Sequence, residues 1–205
     1  MLGIMTASPQ AAAGAPPAAQ PDDQAGPRWL SGQEQDAWRA LLALMLQLPG
    51  PLDAQLQRDS GLNLFGYLVL SSLSMAPERT LRMSELARLA NGSQSRLSNV
   101  AKRLEERGWL YREPDPRDGR STVARLTDSG WDLVRSAAPG HVDAVRRLVI
   151  DPLTGPQLEV LAAAASGIVR SLEETSAGCS FLSSGTLRRS PWRSRSFVWS
   201  LAIRI

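Results

Sequence analysis

The most informative part of the 205-residue chain is SQSRLSNVAKRLEER, residues 93–107. Its apolar residues recur at the offsets of three, four and seven that place side chains on one face of a helix: Leu97, Val100, Ala101 and Leu104. The opposite face carries polar donors and cations, with Arg96 at its margin: Ser95, Arg96, Ser98, Asn99, Lys102 and Arg103. Ser93 is a candidate N-cap. The segment therefore predicts a helix with an apolar face toward the core and a cationic face toward solvent.

A shorter helix is predicted just before this segment. Ser84 is its candidate N-cap, and Leu86, Leu89 and Ala90 are its inward positions. Asn91-Gly92 favours the left-handed or turn conformation that would end it. Two helices joined by a short turn with Gly are typical of a helix-turn-helix, in which the second helix enters the major groove of DNA.

Within the second helix, Asn99 is the best candidate for a base contact. Its amide group can form two hydrogen bonds with adenine, whereas the cations nearby chiefly meet phosphate or guanine. A solvated helix surface is the alternative interpretation of this cationic face, because charged outer faces are common.

A β-hairpin is predicted after the second helix. Residues 109–112 and 122–126 are rich in aromatic and β-branched residues, and they flank PDPRDGR, residues 114–120. Asp118-Gly119 is the turn signal in this segment. Arg117 and Arg120 make the tip cationic, which suits phosphates or a narrow minor groove. We expect the carboxylates of Asp115 and Asp118 to orient these guanidinium groups, although a surface turn with weak ion pairs is the alternative.

Helices are also predicted on both sides of this central part. Ser31–Leu48 has apolar residues at helical spacing until Pro49-Gly50-Pro51 breaks or kinks the run, and 65–75 is apolar enough to be a buried helix. Residues 128–150 and 154–174 follow the hairpin and are separated by Asp151-Pro152. Both have the pattern of core or interface helices.

The charge of the chain is unevenly distributed. Residues 82–125 hold ten basic and six acidic groups, whereas 1–81 and 126–174 each hold four basic and seven acidic groups. The remainder, 175–205, has five Arg and no acid. The local excess in 82–125, and not the overall charge of +3, is therefore the feature that indicates an anionic partner such as DNA.

Several classes of protein are disfavoured by composition. With one Cys (Cys179) and one His (His141), the sequence offers no disulfide, no cysteine metal cage and no paired histidines. It contains no Gly-x-Ser-x-Gly, Walker, Gly-x-Gly-x-x-Gly or zincin motif, so we expect no enzyme, no metal and no cofactor. No apolar run approaches the roughly 20 residues that span a bilayer, and no targeting segment is recognisable, so we expect a cytoplasmic location and no membrane partner.

The two ends of the chain are predicted to be disordered. Residues 1–28 are dominated by Ala, Pro, Gln, Gly and Asp, which cannot bury enough apolar area to offset chain entropy. Residues 175–205 are rich in Ser and Arg and have no helical stripe or strand alternation.

The chain resembles the MarR-type winged helix-turn-helix transcriptional regulators. The resemblance depends on LRMSELA (81–87), on the helix 93–107, and on DPRDGR (115–120) followed by LTDSG (126–130). Each motif alone is weak, but together and in this order they are specific. The resemblance extends over about residues 29–174.

This resemblance implies a mainly helical fold with a small β-wing, in which a winged helix (about 62–127) lies between dimerisation helices (about 31–60 and 128–174). It also implies a homodimeric repressor that binds a pseudo-palindromic operator in double-stranded DNA, with Arg117 entering the minor groove. A winged-helix protein-interaction module without DNA binding is the alternative, and the ten basic groups in 82–125 argue against it.

Family members are often controlled by a small ligand, which here would be apolar or aromatic. The residues that suit an apolar pocket are Trp38, Met45, Phe65 and Tyr67. Ordinary core positions explain the same residues equally well.

Overall fold

The computed structural model describes residues 27–180, and side chains as far as Thr175. It confirms a mainly helical fold with a small β-wing. The helices of this part of the chain are α1 (Gly32–Gln47), α2 (Pro49–Ser60), α3 (Leu64–Met75), α4 (Met83–Leu89), α5 (Gln94–Glu106), α6 (Asp128–Val145) and α7 (Gly155–Ser180). The strands are β1 (Thr80–Arg82), β2 (Leu110–Asp115) and β3 (Asp118–Leu126).

The chain divides into two compact units, the first ending at Leu41 and the second beginning at Leu42, within α1. In the first unit, α1 begins with a capping box. The Ser31 N–H donates to Glu34 Oε2 at 2.8 Å, and the Glu34 N–H donates to Ser31 Oγ at 3.3 Å. The bond from the Ser31 backbone N–H, and secondarily the Ser31 side chain, lower the pKa of the Glu34 carboxyl.

The predicted break at Pro49-Gly50-Pro51 is confirmed. Helix α1 ends at Gln47 and α2 begins at Pro49, where the missing proline N–H costs nothing because the first N–H groups of a helix have no partner within it. Helix α2 ends at Ser60 and is capped by Gly61, whose φ of 66° is left-handed.

The core of the second unit is formed by α2, α3, α4, α5, α6 and one face of the sheet. Helix α3 is buried almost all round, as its continuous apolar sequence predicts. The strand order is β1-β3-β2 and both pairings are antiparallel, so β3 is central. The largest fully buried side chains include Leu56, Tyr67, Leu70, Leu73, Leu86, Leu97 and Leu110.

The helix-turn-helix follows the predicted pattern closely. Helix α5 buries the four apolar residues of its predicted stripe, and Ser93 caps it by accepting a hydrogen bond from the Arg96 N–H at 3.2 Å. The turn before it is made by Asn91, whose φ of 52° is left-handed.

The predicted cap at Ser84 is wrong. Helix α4 begins at Met83, and its N-cap is Arg82, whose side chain does not cap it. The physical reason is β1, which the sequence did not reveal: Arg82 pairs with Val123 of β3, so its backbone is extended and the helix begins directly after it.

The helices after the wing differ from prediction mainly at their ends. Helix α6 continues into a short π-helix, Arg146–Ile150, before the break at Asp151-Pro152. Helix α7 continues to Ser180, beyond the predicted end at Glu174. Of the two ends predicted to be disordered, 1–28 and 175–205, residues 175–180 belong to α7, whereas 1–26, 181–205 and the Cys179 side chain lie outside the described part of the chain.

Candidate nucleic-acid interface

The outer face of α5 is the first part of the candidate interface. All six predicted contact residues on this helix are exposed: Ser95, Arg96, Ser98, Asn99, Lys102 and Arg103. Because the buried stripe fixes the rotation of the helix, these side chains are held together on one side. Lys102 and Arg103 form no ion pair with any residue that the structure describes, so their charges are available to a partner.

Arg96 is held by a contact that the sequence did not predict. Its guanidinium group lies over the ring of Phe65 in α3, 4.2 Å from the ring centroid. The backbone N–H of Arg96 donates to the Ser93 cap. Arg96 is therefore oriented at the first turn of α5, whereas its exposed neighbours further along the helix are not stacked on a ring in this way.

The wing is a tight hairpin, but its turn is not at the predicted position. Asp115 pairs with Asp118 across the hairpin, so Pro116 and Arg117 form the turn and Gly119 lies within β3. The Asp118-Gly119 turn prediction is therefore wrong. Proline fixes the φ angle that the first central position of a turn requires, and Asp115 Oδ1 accepts the Arg117 N–H at 2.9 Å.

Both wing arginines are exposed on a fixed backbone. Asp118 Oδ1 accepts the Arg120 N–H at 3.2 Å, and Asp118 Oδ2 accepts the Ser121 hydroxyl at 2.9 Å. The side chains of Arg117 and Arg120 form no ion pair within the described part of the chain. The wing therefore presents two cations whose backbone positions are set by neighbouring carboxylates.

The prediction that Asp115 and Asp118 orient the wing guanidinium groups is corrected by these bonds, because both carboxylates bind wing backbone N–H groups instead. Asp115 does orient a guanidinium, but it is that of Arg82: Arg82 Nε donates to Asp115 Oδ2 at 2.6 Å. The Arg117 N–H, and secondarily Arg82, hold the pKa of the Asp115 carboxyl below its usual range. Asp115 is therefore an ionised and almost fully buried group that links β1 to the wing turn.

A second ion pair joins the wing to α5. Glu105 accepts three hydrogen bonds from Arg112 of β2: from the backbone N–H at 2.8 Å, from Nε at 2.9 Å and from Nη2 at 2.6 Å. These bonds, with the Arg112 side chain first, lower the pKa of the Glu105 carboxyl. The two guanidinium bonds, both to Glu105 Oε2, and the backbone bond to Oε1 fix the first wing strand against the end of α5.

Two residues of this interface were missed by sequence reasoning. Arg82 and Arg112 are seen in the sequence only as members of a cationic segment, and their partners lie 33 and seven residues away. Glu105 and Arg112 face each other only after the chain reverses between helix and strand. The sequence carries no periodic signal for either pair.

The predicted pocket residues lie in different surroundings. Phe65 and Tyr67 are buried members of the core cluster, whereas the Met45 side chain is 49% exposed. In the first unit, Trp38 is 48% exposed. A ligand pocket made of these residues stays a prediction.

A cluster of three buried polar side chains, Gln55, Tyr67 and His141, lies among α2, α3 and α6. The rings of Tyr67 and His141 are 4.7 Å apart, and Tyr67 Oη, His141 Nδ1 and Gln55 Oε1 have no hydrogen-bond partner among the described residues. Burial raises the pKa of Tyr67 to about 12 and lowers the pKa of His141. His141 is thus held as the neutral imidazole.

This burial predicts a pH-dependent stability. Because the pKa of His141 is lower in the folded chain than the ordinary value of 6.5, protons bind the unfolded chain preferentially as the pH falls below that value. Stability is therefore complete above about pH 6.5 and declines toward pH 5, by at most about 1.4 kcal/mol per pH unit from this group. Thermal unfolding of the parent and His141→Gln between pH 5 and 7.5 checks this, since the chain has no other histidine. Equal pH dependence in the two proteins would contradict it.

Other kinds of site are not visible in the described part of the chain. No cluster of three or more His, Cys, Asp or Glu side chains is placed there to hold a metal ion. None of the helices described is long and apolar enough to cross a membrane.

The fold and the interface define a winged helix-turn-helix protein. The MarR family model matches residues 60–121. Two solved structures from Streptomyces coelicolor are similar over 72% of this chain: Sco3205, a MarR family transcriptional regulator in complex with DNA (44% identity, 92% of that chain, TM-score 0.69), and AbsC, a MarR family transcriptional regulator (37% identity, 99% of that chain, TM-score 0.68). The chain belongs to the MarR family, as its motifs predict.

Relatives found by sequence alone align over a shorter segment. The Escherichia coli transcriptional repressor MprA is 25% identical over 91 residues, which are 44% of this chain and 52% of MprA. The match thus spans about half the length of that curated relative. Members of the MarR family are transcriptional regulators, which agrees with the prediction that this chain is not an enzyme.

Proposed function

We propose that the protein is a cytoplasmic, homodimeric, sequence-specific DNA-binding repressor. The observation that carries this proposal is the joint placement of α5 and the wing. Ser98 of α5 and Arg120 of the wing line the same cleft, so the helix that suits a major groove and the hairpin that suits the adjacent minor groove lie side by side. Sco3205, at 44% identity, was solved in complex with DNA, and MprA is a transcriptional repressor.

In this proposal each group of residues has a distinct role. Asn99 reads adenine, and Arg96, Lys102 and Arg103 bind guanine or phosphate, with Ser95 and Ser98 contributing hydroxyl groups. Arg117 enters the minor groove, where negative potential is concentrated, and Arg120 binds the flanking backbone.

The exposed apolar faces of α1 and α7 support a homodimer. On α7, the side chains of Val160, Leu161, Ile168 and Val169 are between 37% and 69% exposed. Val160 and Leu161 line an open apolar depression of about 450 Å³ together with Pro156 and Ala164. In the part of α1 that belongs to the second unit, Leu46 is also largely exposed. A monomer rarely leaves so many large apolar side chains in water, and a second copy of the chain would cover them.

A small apolar or aromatic effector that relieves repression stays part of the proposal. Within the second unit, the exposed Met45 side chain supplies apolar surface, and Tyr67 has an unpaired hydroxyl group in the core. Such a mixture of apolar surface and few polar groups is typical of small-molecule sites. Titration of the protein–DNA complex with aromatic compounds, followed by release of the DNA, tests this part.

The experiment that tests DNA binding is the salt dependence of affinity. If a dimer makes about eight phosphate contacts, the logarithm of affinity falls against the logarithm of salt concentration with a slope of about −7. Fluorescence anisotropy with labelled duplex DNA at 50 to 300 mM salt measures this slope. A protein-interaction module that keeps the fold but not the function would show no saturable DNA binding at any of these concentrations.

A further inference from the structure

A polar cleft lies between the start of α4, the first half of α5 and strand β3. It encloses about 260 Å³. We call it the wing cleft. The arginine, serine and threonine residues of its lining are Arg82, Ser84, Ser98, Arg120, Ser121 and Thr122. Its lining therefore includes two arginines and four hydroxyl groups.

Arg82 is held in this cleft by a buried carboxylate. Its Nε donates to Asp115 Oδ2 at 2.6 Å, and the Asp115 side chain is only 7% exposed, whereas that of Arg82 is 46% exposed. This bond uses one edge of the guanidinium group. The terminal nitrogens Nη1 and Nη2 have no hydrogen-bond partner among the described residues, so up to four N–H donors are left for a ligand.

The lining of the cleft selects an anion. Its two charged groups are both cations, and no carboxylate is among its lining residues. The nearby Asp118 carboxylate is already bonded to the Arg120 N–H and the Ser121 hydroxyl, and Asp115 is bonded to Arg82 and the Arg117 N–H. Guanidinium and hydroxyl donors around a cleft of this size suit an oxyanion with several acceptor oxygens, such as a phosphodiester.

The position of the cleft identifies the source of that phosphodiester. If α5 lies in the major groove and the wing in the adjacent minor groove, the sugar-phosphate strand between the two grooves must pass between α5 and β3. The wing cleft lies between these two elements.

We propose that the wing cleft binds a backbone phosphate of the DNA, with Arg82, positioned by Asp115, and Arg120 as its two cationic ligands. This inference rests on the proposed function. It adds Arg82 to the interface, although Arg82 is on neither the recognition helix nor the wing. Since a phosphate carries no sequence information, Arg82 contributes to affinity equally on all DNA sequences.

The test compares Arg82→Gln and Arg82→Lys with the parent protein in the salt-dependence measurement. Arg82→Gln is expected to reduce the magnitude of the slope by about 0.9 for each Arg82 in the complex, about 1.8 for a dimer, and to weaken binding to preferred and shuffled DNA by the same factor. Arg82→Lys keeps the charge and is expected to keep the slope. Arg135→Gln removes an exposed arginine of α6 that does not line the cleft, and is expected to leave the slope unchanged.

A second measurement removes the charge from the DNA, because Arg82→Gln leaves the buried Asp115 carboxylate without its cation and can disturb the fold. Single phosphates of the preferred site are replaced by neutral methylphosphonates and tested against the parent and Arg82→Lys. Neutralising the one phosphate of a half-site that lies between the major-groove and minor-groove contacts is expected to reduce the magnitude of the slope by about 0.9.

The possible outcomes distinguish failure of the phosphate site from failure of the proposed DNA-binding function. If the parent binds DNA, a folded Arg82→Gln variant with the parental slope, or no methylphosphonate effect between the two grooves, overturns the phosphate site alone. A change of sequence preference in Arg82→Gln overturns it as well, because that would make Arg82 a base-reading or purely structural residue. A parent protein that does not bind DNA overturns the proposed function and the phosphate site together.

Discussion

Replacing Ile168 with Asp is expected to convert the proposed dimer into a monomer and to lower the affinity for the preferred DNA site by about 10²- to 10⁴-fold. Ile168 lies on the exposed apolar face of α7, where its side chain is 47% exposed. A carboxylate placed there would have to lose water without a partner if a second copy covered it. Loss of the second subunit removes the second half-site contact, which supplies most of the affinity of a two-fold complex.

The matched control for this variant is Ser166→Asp. It adds the same charge to α7, about 200° away around the helix and therefore nearly on the opposite side. Sedimentation analysis and DNA binding are measured for both variants. Since Ile168 is half exposed, the isolated subunit should keep its helical circular dichroism spectrum. A dimeric Ile168→Asp variant would contradict the assignment of α7 to the dimer interface.

Replacing Arg117 with Ala is expected to weaken binding by about 1–3 kcal/mol for each copy in the complex, and so by at least about 30-fold for a dimer. Arg117 is exposed at the centre of the wing turn, and its N–H is fixed by Asp115. An arginine in a narrow minor groove interacts with a stronger negative potential than one beside an isolated phosphate. The loss should therefore be larger on sites that are A·T-rich beneath the wing than on G·C-rich variants of the same site.

Two control variants accompany this measurement. Arg117→Lys keeps the charge and should recover part of the affinity, and Arg135→Ala removes an exposed arginine outside the proposed interface. Competition binding at one fixed salt concentration gives the comparison. An Arg117→Ala protein that binds the selected site as tightly as the parent would remove the wing from the mechanism.

Helix α5 was predictable because the signals for it lie within its own segment of the sequence. The offsets of three, four and seven define the buried stripe of α5, and Ser93 is a capping residue directly before it. The exposed face then follows from geometry. The break before Pro49 was predictable for the same reason, because proline does not fit the interior of a regular helix.

The predictions of the α4 start and of the wing turn were wrong because contacts with other segments of the chain determine the structure there. Strand β1 has three residues and is extended because it pairs with β3, about 40 residues later, so no pattern within 80–82 indicates it. That pairing also moves the start of α4 to Met83. In the wing, both Pro116-Arg117 and Asp118-Gly119 are turn signals, and the bond from the Arg117 N–H to Asp115 favours the first.

The ion pairs of the interface were equally invisible to sequence reasoning. Arg82 and Asp115 come together only when β1 and the wing turn are in place. Composition indicated a cationic segment, but it could not indicate which arginines are held by carboxylates and which are available to DNA. This difference separates Arg112, which is bound to Glu105, from Arg117 and Arg120.

The most direct test of the central claim is selection of bound sequences from a random pool of duplex DNA by the 205-residue chain. Two copies of α5 related by a two-fold axis predict an enriched inverted repeat whose half-sites have centres about 10 bp apart, one turn of the double helix. Enrichment of a single unrepeated motif would contradict the homodimer. No enrichment over the starting pool would contradict sequence-specific DNA binding itself.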